Sequence, residues 1–204
     1  PDGKQIIFFE FARNSAPARI YEVSADGGSP RELLPDDHSQ QLDPNWSPDG
    51  KKIIFAGESN SPASLIRILD VATGQLSTLP ASQGLYSPRW SPDGRYISAF
   101  SAESKTLLLF DRQTQKWTEL ASGSLSWLNW SHDSKFVYVL DYRGKDAVVK
   151  IRVADKKVEQ VVDLKDFVTV GRYGGWLALA PDDSPLLLHD TGSQDVYSVD
   201  WEAQ

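Results

Sequence analysis

Residues 45–55 read NWSPDGKKIIF, and this stretch decides the fold of the chain. Pro48 fixes φ at about −65°, which suits the first central position of a type I turn. Gly50 can take φ > 0 without a Cβ clash, as a three-residue hairpin with a bulge requires. Because aromatic and β-branched residues flank the turn on both sides, the stretch predicts two antiparallel strands joined by a tight turn.

The same turn recurs along the chain at intervals of about 40 to 50 residues. Its aspartates are Asp2, Asp49, Asp93, Asp133 and Asp182. Three positions earlier the middle copies have Trp46, Trp90 and Trp130, and the last copy has Leu179. Each copy continues with an apolar strand and a second apolar segment, and the first four copies add a turn and a further short segment. One period therefore holds four short strands, which is the pattern of a propeller blade.

The sequence predicts an all-β fold, a β-propeller with about four to five four-stranded antiparallel blades. We expect blades at residues 1–36 (partial), 43–80, 87–121, 127–163 and 176–204 (partial). The first copy lacks its innermost strand and the last stops after its third, which favours an arc of a ring of six to eight blades. A closed ring of five lean blades is the alternative. An arc exposes two apolar blade faces and unpaired strand edges, so we expect self-association through them.

The composition of the chain argues against several classes of function. The net charge of −7 argues against nucleic acid as a partner, because phosphate binding needs a basic surface. No apolar run approaches the roughly 20 residues of a membrane helix, so we expect no membrane contact. The chain has no Cys, which excludes disulfides and thiolate chemistry. It also has no Met and begins inside a turn motif, so we expect it to be a segment of a longer protein.

No motif points to catalysis. The chain has neither a Gly-x-Ser-x-Gly elbow nor a phosphate-binding loop. The turn aspartates occur once per blade and would be spread around a ring, whereas a metal needs its oxygens within a few ångström. We therefore expect the aspartates to hydrogen-bond within their turns, and we expect no metal, no cofactor and no enzyme activity from this chain.

The candidate partner-binding residues stand at or just before the innermost strands, where they would line an axial funnel. They are Gln41, Asp43, Tyr86, Arg89, Trp127, Asn129, Arg172 and Tyr173. Loops at this end vary on a rigid frame, which is why ligands usually bind there. For each residue the alternative is a solvated loop position or packing at a strand end. The Trp residues at 46, 90 and 130 keep a fixed phase in the repeat, which predicts core positions.

The Trp-Ser-Pro-Asp-Gly-Lys motif with its following apolar strand resembles the repeat of bacterial TolB-like, WD40-like propellers. The resemblance covers nearly the whole chain, although the fourth copy departs from it at His132 and Ser134 and the last at Asp183. The resemblance implies a non-catalytic module that binds protein or peptide partners, because TolB-like propellers bind protein partners in the cell envelope. It also favours a periplasmic or extracytoplasmic location over a cytoplasmic one.

Other readings stay open. Residues 190–202 resemble the C-terminal end of propellers attached to bacterial winged-helix regulators and kinases, which would make the chain the sensory part of a signalling protein. Serine peptidases gated by an N-terminal propeller also resemble it and have their hydrolase domain elsewhere. A lyase or glycosidase within the propeller would need paired carboxylates or a His–metal cluster at the axis.

Overall fold

A computed structural model of the chain describes residues 2–11, 16–58, 61–143, 146–167 and 175–189. Within these residues every regular element is a β-strand, and the strands form five antiparallel sheets that follow one another in chain order. Each four-stranded sheet is a simple meander in which every strand pairs with the next strand in sequence. The predicted all-β propeller is confirmed.

The sheets differ in how many strands the described residues contain. The first has β1 (Gln5–Glu10), β2 (Arg19–Ser24) and β3 (Arg31–Glu32). The second has β4 (Leu42–Trp46), β5 (Lys52–Ala56), β6 (Ile66–Asp70) and β7 (Leu76–Thr78). The third has β8 (Leu85–Trp90), β9 (Tyr96–Ser101), β10 (Thr106–Asp111) and β11 (Lys116–Ser122). The fourth has β12 (Leu125–Trp130), β13 (Phe136–Asp141), β14 (Ala147–Arg152) and β15 (Val158–Asp163). The fifth has β16 (Leu177–Leu179) and β17 (Pro185–Leu187).

The turn between β4 and β5 shows why the repeated motif is needed. The Ser47 hydroxyl donates to Asp49 Oδ1 at 2.6 Å, and the Lys51 backbone N–H donates to the same oxygen at 3.1 Å. Gly50 has a φ of 67°. The hydrogen bond from Ser47 is the main cause that lowers the pKa of the Asp49 carboxyl. The same Ser–Asp bond recurs in the third and fourth sheets. The predicted turn role of these aspartates is confirmed.

The hydrophobic core lies between consecutive sheets. Trp90 packs with Ile54 between the second and third sheets, and Trp130 packs with Phe100 between the third and fourth. Both indoles are buried, with 6% and 8% of their surface exposed. Trp46 faces the three-stranded first sheet and is only half-buried, so the core prediction holds fully for two of the three Trp residues. Packing between blades through large side chains is what holds a propeller together.

The five sheets form an arc. Contacts between sheets run in chain order, from β1 to β4, β4 to β8, β8 to β12 and β12 to β16. The first and fifth sheets have no comparable contact within the described residues. Both present apolar side chains to solvent, with Ile6 52% and Leu186 47% exposed. Self-association through these faces stays a prediction.

Candidate functional site

The innermost strand of each four-stranded sheet has a β-bulge at the same place, three residues before the aligned Trp. The bulged residues are Asp43 in β4, Ser87 in β8 and Trp127 in β12. Their φ angles are positive, at 52°, 52° and 54° in that order. A left-handed backbone costs a residue with a Cβ about 1–2 kcal/mol. A bulge also redirects the side chain away from the regular face of the sheet.

The bulged residues face a common groove where the innermost strands of the last four sheets converge. Its volume is about 320 Å³. Trp176 joins them from the fifth sheet, because it stands three residues before Leu179, the counterpart of the aligned Trp. We call this the axial groove, and its lining includes Asp43, Tyr86, Ser87, Arg89, Trp127, Asn129 and Trp176.

Arg89 is the cationic residue of the groove lining. Its Nη1 donates to the carbonyl oxygens of Pro88 at 2.8 Å and Asp43 at 3.3 Å. Its other guanidinium N–H groups have no hydrogen-bond acceptor among the described residues, and the side chain lines the groove. Desolvation lowers the pKa of Arg89, and the nearby Asp43 carboxylate opposes that shift. Arg89 is thus a half-buried cation whose contacts are neutral carbonyls.

Two other groove residues are held by hydrogen bonds. The Tyr86 hydroxyl lies 2.6 Å from Ser104 Oγ. Burial raises the pKa of Tyr86, the bond to Ser104 works against that rise, and Asp43 adds to it. Asn129 Nδ2 donates to the Leu177 carbonyl at 2.8 Å, which ties β12 to β16. These bonds make the walls of the groove rigid.

The two indoles of the groove are free to meet a ligand. Trp127 is 38% exposed and Trp176 is 37% exposed, far more than the Trp residues between the sheets. Among the described residues, the groove therefore offers two exposed indoles, one carboxylate and one guanidinium. Sites of this kind, mostly apolar with a few fixed polar groups, suit organic ligands and peptide side chains.

The structure brings together five of the eight residues predicted from sequence: Asp43, Tyr86, Arg89, Trp127 and Asn129. Gln41 does not line the groove. It is fully buried, its Oε1 accepts from the Ile20 backbone N–H at 3.0 Å, and its Nε2 donates to the Asp37 carbonyl at 3.1 Å. Arg172 and Tyr173 lie outside the described residues.

Sequence reasoning missed Ser87 and Trp176, although the repeat contained the signal. Counting back three residues from each aligned Trp gives the bulge position in the three four-stranded sheets, and counting back from Leu179 gives Trp176. In the same alignment Gln41 is equivalent to Leu85 and Leu125, each five residues before the aligned Trp. Both Leu side chains are buried, so the alignment indicates that the Gln41 side chain points into the core.

The described part of the chain shows no metal centre. Within it, no group of three or more His, Asp or Glu side chains is placed to hold an ion. It also has no helix with the length and hydropathy needed to cross a membrane.

Solved structures share this architecture, whereas no protein-family model matches the chain. TolB from Acinetobacter baumannii superposes with a TM-score of 0.73 at 20% identity, over 93% of this chain and 48% of that one. The putative TolB from Agrobacterium tumefaciens gives a TM-score of 0.71 at 20% identity, over 92% of this chain and 70% of that one. The chain has the fold of the TolB-type β-propellers.

Curated relatives of this chain include a peptidase and a TolB. The uncharacterized peptidase YuxL of Bacillus subtilis is 26% identical over 57% of this chain and 17% of its own length. The Tol-Pal system protein TolB of Alcanivorax borkumensis is 28% identical over 46% of this chain and 22% of its own length. The aligned part of the chain thus spans less than a quarter of each of these two relatives.

Proposed function

We propose that this propeller is a non-catalytic module that binds a protein or peptide segment in its axial groove. The observation that carries the proposal is the convergence of four equivalent positions, Asp43, Ser87, Trp127 and Trp176, on one groove. They come from four sheets that pack rigidly against one another. Side chains held by a rigid frame bind with a smaller loss of conformational entropy.

The chemistry of the groove supports a peptide as ligand. Exposed Trp and Tyr side chains supply large contact areas with few rotatable bonds, and they dominate the energy of protein interfaces together with Arg. Among the described residues, the groove lining contains a single carboxylate, that of Asp43. Hydrolysis or elimination by paired carboxylates would need a second one.

Display selection of peptides on the purified protein tests the proposal, with Trp127→Gly as the diagnostic variant. Glycine suits the φ of 54° at this position, so we expect stability to change by no more than about 1 kcal/mol. Selected peptides should bind Trp127→Gly at least about tenfold more weakly, because an aromatic anchor is lost. Tyr142→Ala is the matched control, since Tyr142 is 39% exposed and does not line the groove. Equal binding to the wild type and both variants would refute groove binding.

The similarity to YuxL favours a second candidate, a propeller that gates a serine peptidase. The parent gene distinguishes the two. A hydrolase domain encoded beside this segment would support gating, whereas a kinase or winged-helix domain would support a sensory role. The similarity to TolB also supports our proposal of a periplasmic or extracytoplasmic location, which cell fractionation tests.

A further inference from the structure

We infer that the axial groove recognises a carboxylate of the bound segment, and that Arg89 is the residue that binds it. This inference rests on the proposed function, because it names the ligand group that the same groove accepts. A peptide offers this chemistry in two places, its C-terminal carboxylate and its Asp or Glu side chains.

The first reason is the unused capacity of Arg89. Its Nη1 has two neutral acceptors, the Pro88 and Asp43 carbonyls, and its remaining donors have no acceptor among the described residues. Burying a cation costs free energy, which the nearby Asp43 carboxylate offsets in part and a ligand anion would offset further. A guanidinium presents parallel N–H donors that match the two oxygens of a carboxylate. The free donors of Arg89 therefore select a planar anion.

The second reason is that Arg89 is fixed before any ligand arrives. Its main-chain carbonyl accepts from Trp130 Nε1 at 3.3 Å and from Ser98 Oγ at 3.3 Å. Its guanidinium is held by the two carbonyls named above. A donor that is already in place loses little conformational entropy when it binds. Trp127 and Trp176 line the same groove and supply an apolar surface for the residue next to the carboxylate.

The third reason concerns Asp43, whose carboxylate is the charge that a ligand anion must displace or tolerate. Asp43 and Arg89 are joined by the hydrogen bond to the Asp43 carbonyl rather than by an ion pair. Replacing Asp43 by Asn removes the negative charge and keeps the shape. Asn also tolerates the positive φ of 52°. Asp43→Asn should therefore strengthen the binding of an anionic ligand group and weaken the binding of a cationic one.

The test uses the peptides selected on the full chain. Each is synthesised with a free C-terminal carboxylate and as the C-terminal amide, and each Asp or Glu is changed in turn to Asn or Gln. Fluorescence anisotropy measures binding to the wild type, Arg89→Gln, Arg89→Lys and Asp43→Asn. Circular dichroism and thermal unfolding report whether each variant is folded.

We expect one of these changes to the peptide to weaken binding by about tenfold or more, as loss of a charged hydrogen-bond partner does. The position of that change tells whether the carboxylate is terminal or in a side chain. Arg89→Gln should bind the carboxylate peptide more weakly by the same factor, and it should bind the peptides with and without that carboxylate equally. The affinity of Arg89→Lys for the carboxylate peptide should lie between those of the wild type and Arg89→Gln. Asp43→Asn should bind the carboxylate form at least about threefold more tightly, because a repulsion is removed.

Two results would overturn the inference. One is binding that Trp127→Gly weakens but that no carboxylate change affects, which would leave the proposed function standing. The other is weaker binding by Asp43→Asn, which would show that Asp43 holds a cationic ligand group. Both readouts use variants other than Arg89→Gln, so the inference stays falsifiable if that variant does not fold. An absence of any binding that depends on Trp127 would refute the proposed function as well.

Discussion

Two neighbouring sheet interfaces place equivalent Trp residues of the repeat, Trp90 and Trp130, in different surroundings. Trp130 donates its Nε1–H to Ser98 Oγ at 2.9 Å and stacks on Tyr96 with the ring planes 10° apart. Trp90 has no acceptor for its Nε1–H within the described residues, and the Arg112 guanidinium lies 4.8 Å from the centre of its ring. The two indoles are almost equally buried. Burial of the ring is therefore common to these two interfaces, whereas a hydrogen bond to the indole N–H is not.

The cause is a single position of the repeat. Ser98 pairs with Arg89, and its counterpart Ile54 pairs with Asn45, so the two side chains occupy the same place in their sheets. Ser98 offers an acceptor to the next indole, and Ile54 offers only a hydrocarbon surface. The polar interface also holds the Arg89 carbonyl, which belongs to a groove residue. The Trp130 indole thus supports the backbone of a groove residue, whereas the Trp90 indole contributes packing.

Replacing each indole by Phe should separate the interfaces most clearly. Trp130→Phe loses the bonds to Ser98 and Arg89, whereas Trp90→Phe removes a buried donor that had no partner. We expect Trp130→Phe to cost about 2 kcal/mol more of unfolding free energy than Trp90→Phe. Urea titration of both variants measures this difference. Equal losses would show that the hydrogen bonds of Trp130 contribute nothing net.

Supplying the missing acceptor is the next test. Ile54→Ser places a hydroxyl where Ser98 lies in the neighbouring sheet, and Ile54→Ala leaves only a cavity. Both destabilise, but we expect the Ser variant to be about 1 kcal/mol more stable than the Ala variant, because Trp90 gains a hydrogen bond. Ile151 is the control, since it is buried in the interface whose indole is already satisfied. There Ser should be no better than Ala.

The cation above Trp90 should have a smaller effect. Arg112 is exposed, so its contact with the ring is partly screened by water. We expect Arg112→Ala to lower stability by about 0.5–1 kcal/mol. Gln113→Ala, at the neighbouring exposed position, controls for general changes in the turn. A loss no larger than that of the control would mean that the cation does not stabilise the ring.

Tyr138 extends the comparison to the interface of the fourth and fifth sheets. It pairs with Asn129 and so occupies the position of Ser98 and Ile54. Burial raises its pKa, and Asp183 and Asp133 add to the rise. A raised pKa means that the unfolded chain deprotonates first, at about pH 10. The stability from this group is complete below that pH and is lost as pH rises through the folded pKa.

Tyr138→Phe should therefore flatten part of the alkaline decline. Urea titrations of the wild type and the variant at about pH 8 and pH 11 measure it. Tyr86 also has a raised pKa, so part of the loss of stability at alkaline pH should remain in the variant. Identical pH profiles for the two proteins would contradict the shift at Tyr138.

Much of the fold followed from sequence because each blade repeats one short motif in one phase. The turn residues act locally, so Pro48, Asp49 and Gly50 could be interpreted without knowledge of the rest of the chain. Five groove residues were predicted because the ends of the innermost strands share that phase. Gln41 was misleading because a polar residue can fill a core position when neighbouring carbonyls and N–H groups satisfy it.

Other features depended on contacts that no local pattern contains. The partner of Trp130 comes from a different sheet, so nothing beside the Trp in sequence distinguishes it from Trp90. The positive φ of Trp127 was equally hidden, because Gly is the usual signal for that backbone and is missing here. Trp176 was overlooked because Leu179 replaces the Trp that marks the phase in the other copies.

The bulged position also bears on how such a domain changes over time. The repeat accepts Asp, Ser and Trp there with nearly the same backbone angle, so the frame tolerates very different chemistry at that point. A substitution there alters the lining of the axial groove while the packing between sheets stays intact. New ligand preferences can therefore arise one residue at a time, without a period of instability between one specificity and the next.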